Sequence, residues 1–265
     1  MTPKGGGSAL THDSWAALEE LTAQEAQRRF TSGSPVVFPI GSLEAHGPYL
    51  PLGTDSLVAC AFAQQLAEKT GGILTPCVPY GYAPTTANLP STISIPARLL
   101  QDYLASICRS MVRQGCRRIV FLNIHKENSP SLIILVHELY AELGVHLLYV
   151  NPYTCFADDL DRDFWQGHDN SYKEAALFLA ACEVLGRPAL ADLVRAAPSE
   201  TASRPVLLER LRGVGAIGFR YRSEREHIAP RQGVSLELGQ KYLDLVTDRL
   251  AAVLAEYAAY TDQEA

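Results

Sequence analysis

The sequence has little of the positive charge that marks partners of nucleic acids or anionic membranes. Its 265 residues carry a formal net charge of −6, and no run of lysine or arginine occurs. A clustered basic patch is the usual electrostatic footprint of nucleic-acid binding, so we expect no nucleic-acid partner. Charged residues of either sign make up only 20% of the chain. This low fraction favours burial of surface between subunits, and we expect a homo-oligomer.

Long apolar runs and phosphate-binding loops are missing as well. No window approaches the ~18 uninterrupted apolar residues of a membrane span, so we expect no membrane partner. Residues 1–10 lack the apolar core of a signal peptide and predict a short disordered tail. We therefore expect a cytoplasmic protein. The absence of a glycine-rich phosphate loop disfavours a nucleotide or sugar-phosphate binder.

The six cysteines form no CxxC pair. Disulfide scaffolds belong to much smaller secreted chains, and cysteine zinc sites use closely spaced pairs. The spacing here, in mostly apolar surroundings, predicts buried free thiols in a reducing compartment.

Short apolar segments alternate with helical patterns along the chain. Strands are predicted at 35–40, 73–78, 118–123 and 145–151, and helices at 14–30 in two pieces, 55–70, 98–114, 129–143, 171–185 and 236–257. This alternation is typical of an α/β fold, and we predict a single three-layer domain over residues 11–265 with a mostly parallel central sheet between helices. Residues 79–97 form a loop longer than compact domains usually tolerate without a purpose. Residues 187–234 are predicted to be irregular.

Three polar residues are predicted to begin helices. Thr22 and Ser171 each precede a glutamate by three residues, which is the capping-box pattern. Asp55 opens the pattern at 55–70 and is expected to cap that helix. A capping aspartate can still offer its second oxygen to a ligand.

The first polar cluster follows the strand predicted at 35–40. Side chains two apart on an extended segment point the same way, so Glu44 and His46 can reach one ligand, with Asp55 nearby. The carboxyl edge of an open α/β sheet is where ligands bind. Gly47 and Gly53 are expected to let the backbone approach such a centre closely.

A second pair with the same spacing, His125 and Glu127, follows the strand predicted at 118–123. Each residue alone is compatible with a surface group or a local hydrogen bond. Two such strand ends can converge in a parallel sheet, and the resulting five ligands exceed the four of an ordinary structural zinc site. The set therefore indicates two divalent ions, which together could hold a hydroxide and polarise a carbonyl.

These two stretches resemble motifs of the creatininase family of metal-dependent amidohydrolases. Residues 41–55 resemble the pattern G-S-x-E-x-H-G-P-H-L-P-L-x-T-D, and residues 123–128 resemble N-G-H-x-x-N. The resemblance implies two zinc or manganese ions per chain, with Asp55 bridging them. It places Glu44 and His125 at one ion, and His46 and Glu127 at the other. By the same resemblance Glu127 belongs to the catalytic residues.

A third family block, H-A-G-x-x-E-T-S, is degraded in this chain. His168 and Glu174 match it only with one inserted residue. The resemblance implies that His168 protonates the leaving nitrogen; the alternative is a loop histidine beside the helix. Glu174 is either a base that faces the metals without binding them, or only a residue of the helix cap.

Three residues are candidates for contacts with a small-molecule substrate. Lys126 stands where the family has a pocket tyrosine, which favours an anionic substrate unless the side chain points to solvent. Trp165 resembles a family pocket tryptophan with the spacing off by one, and the alternative is a core aromatic. Tyr82, in the long loop, is a weaker candidate than plain loop packing.

The resemblance implies hydrolysis of a non-peptide C–N bond, an amide or cyclic amide, by metal-bound hydroxide. Deformylation, release of a short peptide end and cleavage of a cyclic ketone are alternatives on the same scaffold, since fold does not settle function. A non-catalytic scaffold is a further alternative. The resemblance also implies a hexamer.

Overall fold

A five-stranded parallel sheet forms the centre of the computed structural model, which describes residues 14–156, 164–198, 200 and 217–263. Its strands are β1 (Ala16–Ala17), β2 (Val36–Ile40), β3 (Ile73–Leu74), β4 (Ile119–Asn123) and β5 (Leu147–Val150). Their order across the sheet is β1-β3-β2-β4-β5, and every pairing is parallel. The predicted disordered tail at 1–10 lies outside the described residues.

Eight helices connect and follow these strands within the described ranges. They are α1 (Ala23–Thr31), α2 (Thr54–Thr70), α3 (Ala97–Arg113), α4 (Ser129–Leu143), α5 (Asn170–Val184), α6 (Pro188–Arg195), α7 (Glu224–His227) and α8 (Leu236–Gln263). Two single 3₁₀ turns occur at Leu18–Glu20 and Lys126–Asn128. None of the helices described is both long and apolar enough to cross a bilayer.

The sheet is covered on both faces, which confirms the predicted three layers. Side chains alternate across a strand, so Val37 and Val120 pack with α2, α5 and α8 on one face. Phe38 and Phe121 point to the other face and pack with α3 and α4. Both faces are apolar because a parallel sheet buries both. All six cysteines are free, with Cys155 exposed and the others buried or half-buried.

The first predicted helical piece, at the start of 14–30, is wrong. Ala16 donates its backbone N–H to Gly72 O at 3.2 Å, and β1 pairs with β3 at the sheet edge. Sheet pairing outweighs the helical spacing of the apolar residues there. The second piece is confirmed as α1, which Thr22 caps by accepting from Glu25 N at 3.3 Å. The segment predicted as irregular contains α6 and α7.

Two predicted helix caps are also wrong, and both errors bear on the site. Gly53 is the N-cap of α2, so Asp55 lies in the first turn. Helix α5 is capped by Asp169, whose Oδ1 accepts from Tyr172 N at 3.0 Å. Ser171 Oγ instead accepts from Ala229 N at 3.1 Å. The Asp55 carboxylate is therefore not used as the cap of its helix.

Candidate metal centre

The polar cluster lies where β2 and β4 end side by side. Ile40 at the end of β2 pairs with Asn123 at the end of β4. The segments that follow them carry Glu44 and His46 after β2, and His125 and Glu127 after β4. The first turn of α2 adds Asp55. Parallel register thus brings together side chains that are more than 60 residues apart in sequence, as His125 and Asp55 are.

Asp55 lies between the two imidazoles. Its Oδ1 is 3.3 Å from His46 Nε2, and its Oδ2 is 2.8 Å from His125 Nδ1. Ser42 Oγ donates to Oδ2 at 3.0 Å, and all of these residues are buried. Each oxygen of this carboxylate thus contacts one imidazole, and the bridging role of Asp55 stays a prediction.

Backbone carbonyls fix which nitrogen of each ring faces the cluster. His46 Nδ1 lies 3.0 Å from Glu44 O, and His125 Nε2 lies 3.0 Å from Tyr82 O. A carbonyl can only accept, so these two nitrogens carry protons and donate. His46 Nε2 and His125 Nδ1 are left facing the carboxylates. A ring held in this way presents its second nitrogen as a ligand once it is neutral.

The two glutamates complete two overlapping groups of ligand atoms. Glu44, His46 and Asp55 form one group, and Glu44, His125 and Glu127 form the other, with the atoms of each group within 4.8 Å of one another. Glu44 Oε1 lies 3.0 Å from His125 Nδ1, and Glu127 Oε2 lies 3.7 Å from His125 Nε2. The groups share Glu44, whereas the resemblance paired Glu127 with His46. That pairing stays a prediction.

The charges of the cluster are mutually compensating. Burial alone would lower the pKa of His46, but Asp55 and Glu44 raise it to about 10. The pKa of His125 is also raised well above its usual value against the effect of burial, by Glu44 and Asp55. Burial would raise the pKa of Glu44, yet His125 and His46 hold it at about 2. Without a metal the imidazolium protons balance the carboxylates, and a bound cation would replace those protons.

Two further carboxylate oxygens indicate that a cation fits here. Glu127 Oε2 and Glu174 Oε2 are buried and have no hydrogen-bond partner among the described residues. Burial raises the pKa of Glu127, and burial raises that of Glu174 to about 7. Buried carboxylate oxygens without a donor are costly. Carboxylate and imidazole donors suit zinc and manganese, so the residues present fit the ions that the resemblance implied.

Glu174 and His168 are placed very differently. Glu174 Oε2 lies 3.8 Å from His46 Nε2. The His168 side chain is exposed, and its ring stacks on Tyr172 with centroids 3.7 Å apart. The structure thus brings Glu174 to the cluster and places His168 at the entry to α5.

The three substrate candidates occupy three different environments. Lys126 is exposed on its 3₁₀ turn. Trp165 is only 2% exposed and packs against Phe164 and Tyr242. Tyr82 is half-buried and reaches the cluster through its carbonyl oxygen. Their roles toward a substrate stay predictions.

Two of the residues at the cluster belong to no motif recognised in the sequence. Thr86 is fully buried and donates its hydroxyl to Glu44 Oε2. His227 donates from Nδ1 to Ala45 O at 2.8 Å, and its ring centroid is 5.4 Å from that of His46. Burial and the neighbouring His46 lower the pKa of His227 to about 4, so it is neutral at pH 7. The length of the 79–97 loop was the one hint of a function for Thr86.

Gly47 allows a close backbone approach beside the cluster. Its φ is +71°, and a Cβ there would lie 2.2 Å from Ile228 O. The close approach at Gly47 is to the Ile228 carbonyl rather than to a residue of the cluster, so its role toward a metal stays a prediction. Gly53 was expected to act alike, but a Cβ there would only meet Leu43 Cδ2 at 3.6 Å, an ordinary contact.

Fold and site together define an α/β protein with a buried set of metal-ligating side chains at the carboxyl edge of a parallel sheet. A family model described as creatinine amidohydrolase matches residues 19–254. The chain belongs to the creatininase family.

Curated relatives match parts of the chain. Creatinine amidohydrolase of Pseudomonas putida is 32% identical over 151 residues, covering 53% of this chain and 58% of that protein. A 3-dehydro-scyllo-inosose hydrolase of Thermotoga maritima is 28% identical over 135 residues, covering 51% and 43%. A mycofactocin precursor peptide peptidase of Mycobacterium ulcerans is 34% identical over 134 residues, covering 47% and 53%. The chain thus spans about half the length of the curated relatives it matches.

Solved structures share the fold over nearly the whole chain. A creatinine amidohydrolase structure has a TM-score of 0.74 at 22% identity, covering 91% of this chain and 97% of that one. A structure described as a manganese creatininase has a TM-score of 0.72 at 21% identity, covering 91% and 98%. A mutant creatininase of Zn–Zn type has a TM-score of 0.74 at 20% identity, covering 91% and 97%. Identities this low show the fold alone.

Proposed function

We propose that this protein is a metal-dependent hydrolase that cleaves a non-peptide C–N bond, an amide or cyclic amide, in a small molecule. The observation that carries the proposal is the Asp55 carboxylate, whose two oxygens meet His46 on one side and His125 on the other. Glu44 and Glu127 add carboxylates to the same centre. Membership of the creatininase family and the similarity to a creatinine amidohydrolase support this reaction class.

The proposed cofactor is a pair of zinc or manganese ions. Glu44, His46, Asp55, His125 and Glu127 would hold them. When bound, paired divalent ions lower the pKa of water and polarise a carbonyl group. The protein contributes a buried site that excludes bulk solvent and fixes the ring orientation of both histidines.

Glu174 is our candidate for moving a proton to the leaving nitrogen. Its Oε2 faces His46 from 3.8 Å, and burial raises its pKa to about 7. A carboxyl beside the cluster can accept a proton and pass it on. The alternative is His168, which the resemblance favoured and which lies exposed beside Tyr172.

Lys126 stays a candidate contact for a carboxylate or another anionic group of the substrate because it directly precedes Glu127; its side chain is exposed, and a lysine that only faces solvent is the alternative. A lysine supplies a point charge for such a group. Replacing Lys126 with Met is expected to raise KM for an anionic substrate and to leave a neutral analogue unchanged. Equal KM values for wild type and variant across anionic substrates would remove Lys126 from the binding site.

The direct test is turnover by protein reconstituted with zinc or manganese. Cyclic amides and open-chain amides, each with and without a carboxylate, are offered, and the acid product is measured. We expect hydrolysis of at least one amide class, with loss of activity on chelation and recovery on adding metal. Metal-loaded protein that hydrolyses no amide would contradict the proposed reaction.

Short peptides and a cyclic ketone are tested as substrates in the same assay. The 34% identity to a mycofactocin precursor peptide peptidase supports release of a short peptide end as the second candidate. The similarity to an inosose hydrolase supports the cyclic ketone. Turnover of the peptides without turnover of amides would replace the first proposal with the second candidate, and turnover of the ketone alone would replace it with cyclic-ketone hydrolysis.

A further inference from the structure

The connection between β3 and α3, residues 75–96, touches the ligands of the candidate metal centre directly. Tyr82 O accepts from His125 Nε2 at 3.0 Å. Further along this connection, the Thr86 hydroxyl donates to Glu44 Oε2. Thr86 has no exposed surface, so water does not compete for this hydrogen bond.

The connection is fastened to both ligand-bearing segments. Tyr82 N donates to Asn128 Oδ1 at 2.8 Å, after β4. Ala45 N, between Glu44 and His46, donates to Thr92 Oγ1 at 2.9 Å. Because anchors lie on either side of Thr86 along the chain, the fold fixes where its hydroxyl is presented.

The two oxygens of Glu44 have separate tasks in this arrangement. Oε1 lies 3.0 Å from His125 Nδ1 and 4.0 Å from His46 Nε2, between the two imidazoles. Oε2 points away to the Thr86 hydroxyl. The other acceptor near that hydroxyl is Ala83 O at 3.5 Å, the outer limit of a hydrogen bond, so Glu44 is its main partner.

We propose that Thr86 is a positioning residue that makes Glu44 a one-oxygen ligand, with Oε2 held by the hydroxyl and Oε1 left for the metal. This inference rests on the proposed function, because it requires that the cluster binds metal. A donor behind a ligating carboxylate sets its orientation, and losing such a partner typically lowers metal affinity about 10- to 100-fold.

The test compares metal affinity among threonine variants. Zinc and manganese affinities are measured by competition with a chromophoric chelator for wild type, Thr86→Val, Thr86→Ser and Thr86→Ala. Valine and alanine remove the hydroxyl, and serine keeps it. We expect metal binding about 10- to 100-fold weaker for Thr86→Val and Thr86→Ala, and near wild type for Thr86→Ser.

Thr247→Val is the matched control. Thr247 is also fully buried, but its hydroxyl donates to Leu243 O at 2.8 Å within α8. The Thr247→Val variant should bind metal like wild type. Circular dichroism shows which of Thr86→Val and Thr86→Ala folds, and the metal affinity of the folded variant tests the role of the Thr86 hydroxyl.

Unchanged affinity in the folded hydroxyl-free variant would overturn the inference and leave the proposed function standing. A serine variant as weak as the hydroxyl-free variants would also overturn it. A wild-type protein that binds neither ion would overturn the proposed function, and the inference with it.

Discussion

At the scale of single residues, Glu174 and His168 are the two candidates for moving a proton to the leaving nitrogen, and they occupy different positions relative to the cluster. Glu174 is half-buried with its buried Oε2 facing His46, and its other oxygen accepts from Asn170 Nδ2. His168 is exposed and stacked on Tyr172. Proton transfer requires a group within hydrogen-bond reach of the reacting atoms, directly or through one water. Glu174 Oε2 lies beside the cluster, 3.8 Å from His46 Nε2, and we expect it to come within reach of the leaving nitrogen when a substrate is bound.

Replacing Glu174 with Gln is therefore expected to lower kcat by about 10²- to 10⁴-fold, the usual contribution of a positioned acid or base. The amide keeps the volume but cannot exchange a proton. His168→Asn serves as the comparison and is expected to lower kcat less than about tenfold. Steady-state kinetics measure kcat, and the metal content of each variant is measured in parallel. The two measurements together separate a defect in proton transfer from a loss of metal. The reverse ranking of the two variants would return the role to His168.

The sequence could predict that five polar residues come together at the sheet edge, because they fall in two short motifs after strands. It could not predict Thr86 or His227, which contact segments 42 and 182 residues away. Local patterns carry no information about such pairings. The Ser171 cap failed because Asp169 sits two residues earlier with a carboxylate that both caps α5 and pairs with Arg231.

At the scale of elements, the turn at Gly47, which follows Glu44 and His46, packs against Ile228 at the end of α7. A left-handed backbone and the nearby Ile228 carbonyl leave no space for a side chain. Gly47→Ala is expected to reduce the free energy of unfolding by about 3 kcal/mol, from backbone strain and displacement of Ile228. Urea unfolding in the presence of chelator measures this without the contribution of metal.

Gly53→Ala is the matched control six residues further along. Its backbone is ordinary and its surroundings are open, so we expect a change within about 1 kcal/mol. Similar losses for both glycine variants would argue against a special role of the turn at Gly47.

Elements with strong local signals were predicted well. Helices α2, α3 and α4 agree with the apolar spacing to within one residue at each end, because glycine or a turn follows each of them. Strand β1 could not be predicted, since a two-residue edge strand is defined by its neighbour β3 rather than by its own sequence. The short helix α7 is likewise held by tertiary contacts.

At the scale of the whole molecule, the buried charges make stability depend on pH. A raised histidine pKa gives stability that is complete below about pH 6.5 and is lost as the pH rises toward about 10, as for His46. The raised pKa of Glu174 acts in the same direction between 4.5 and about 7. The low pKa values of Glu44 and His227 cost stability only in acid, below 4.5 and 6.5 respectively.

We therefore expect the melting temperature of metal-free protein to fall by roughly 5 °C between pH 6.5 and pH 10. Calorimetry on chelator-treated protein measures this fall. His46→Gln should show a smaller fall, whereas a variant of the exposed His137, His137→Gln, should behave like wild type. A melting temperature that rises with pH over this range would contradict the charge arrangement described.

The homo-oligomer stays a prediction. Helices α3 and α4 pack together and expose large apolar side chains, which is favourable for contact with further subunits. The exposed residues are Leu99, Tyr103, Ile133, Ile134 and Tyr140.

The central claim is that the carboxylates and imidazoles around Asp55 form a site for paired cations. Metal content after loading with zinc or manganese and exhaustive dialysis tests it most directly. We expect about two ions per chain for wild type and for Asp102→Ala, a surface control, and close to none for Asp55→Ala. A wild-type chain that retains no metal would contradict the claim, and an Asp55→Ala chain that retains both ions would contradict the bridging role of Asp55.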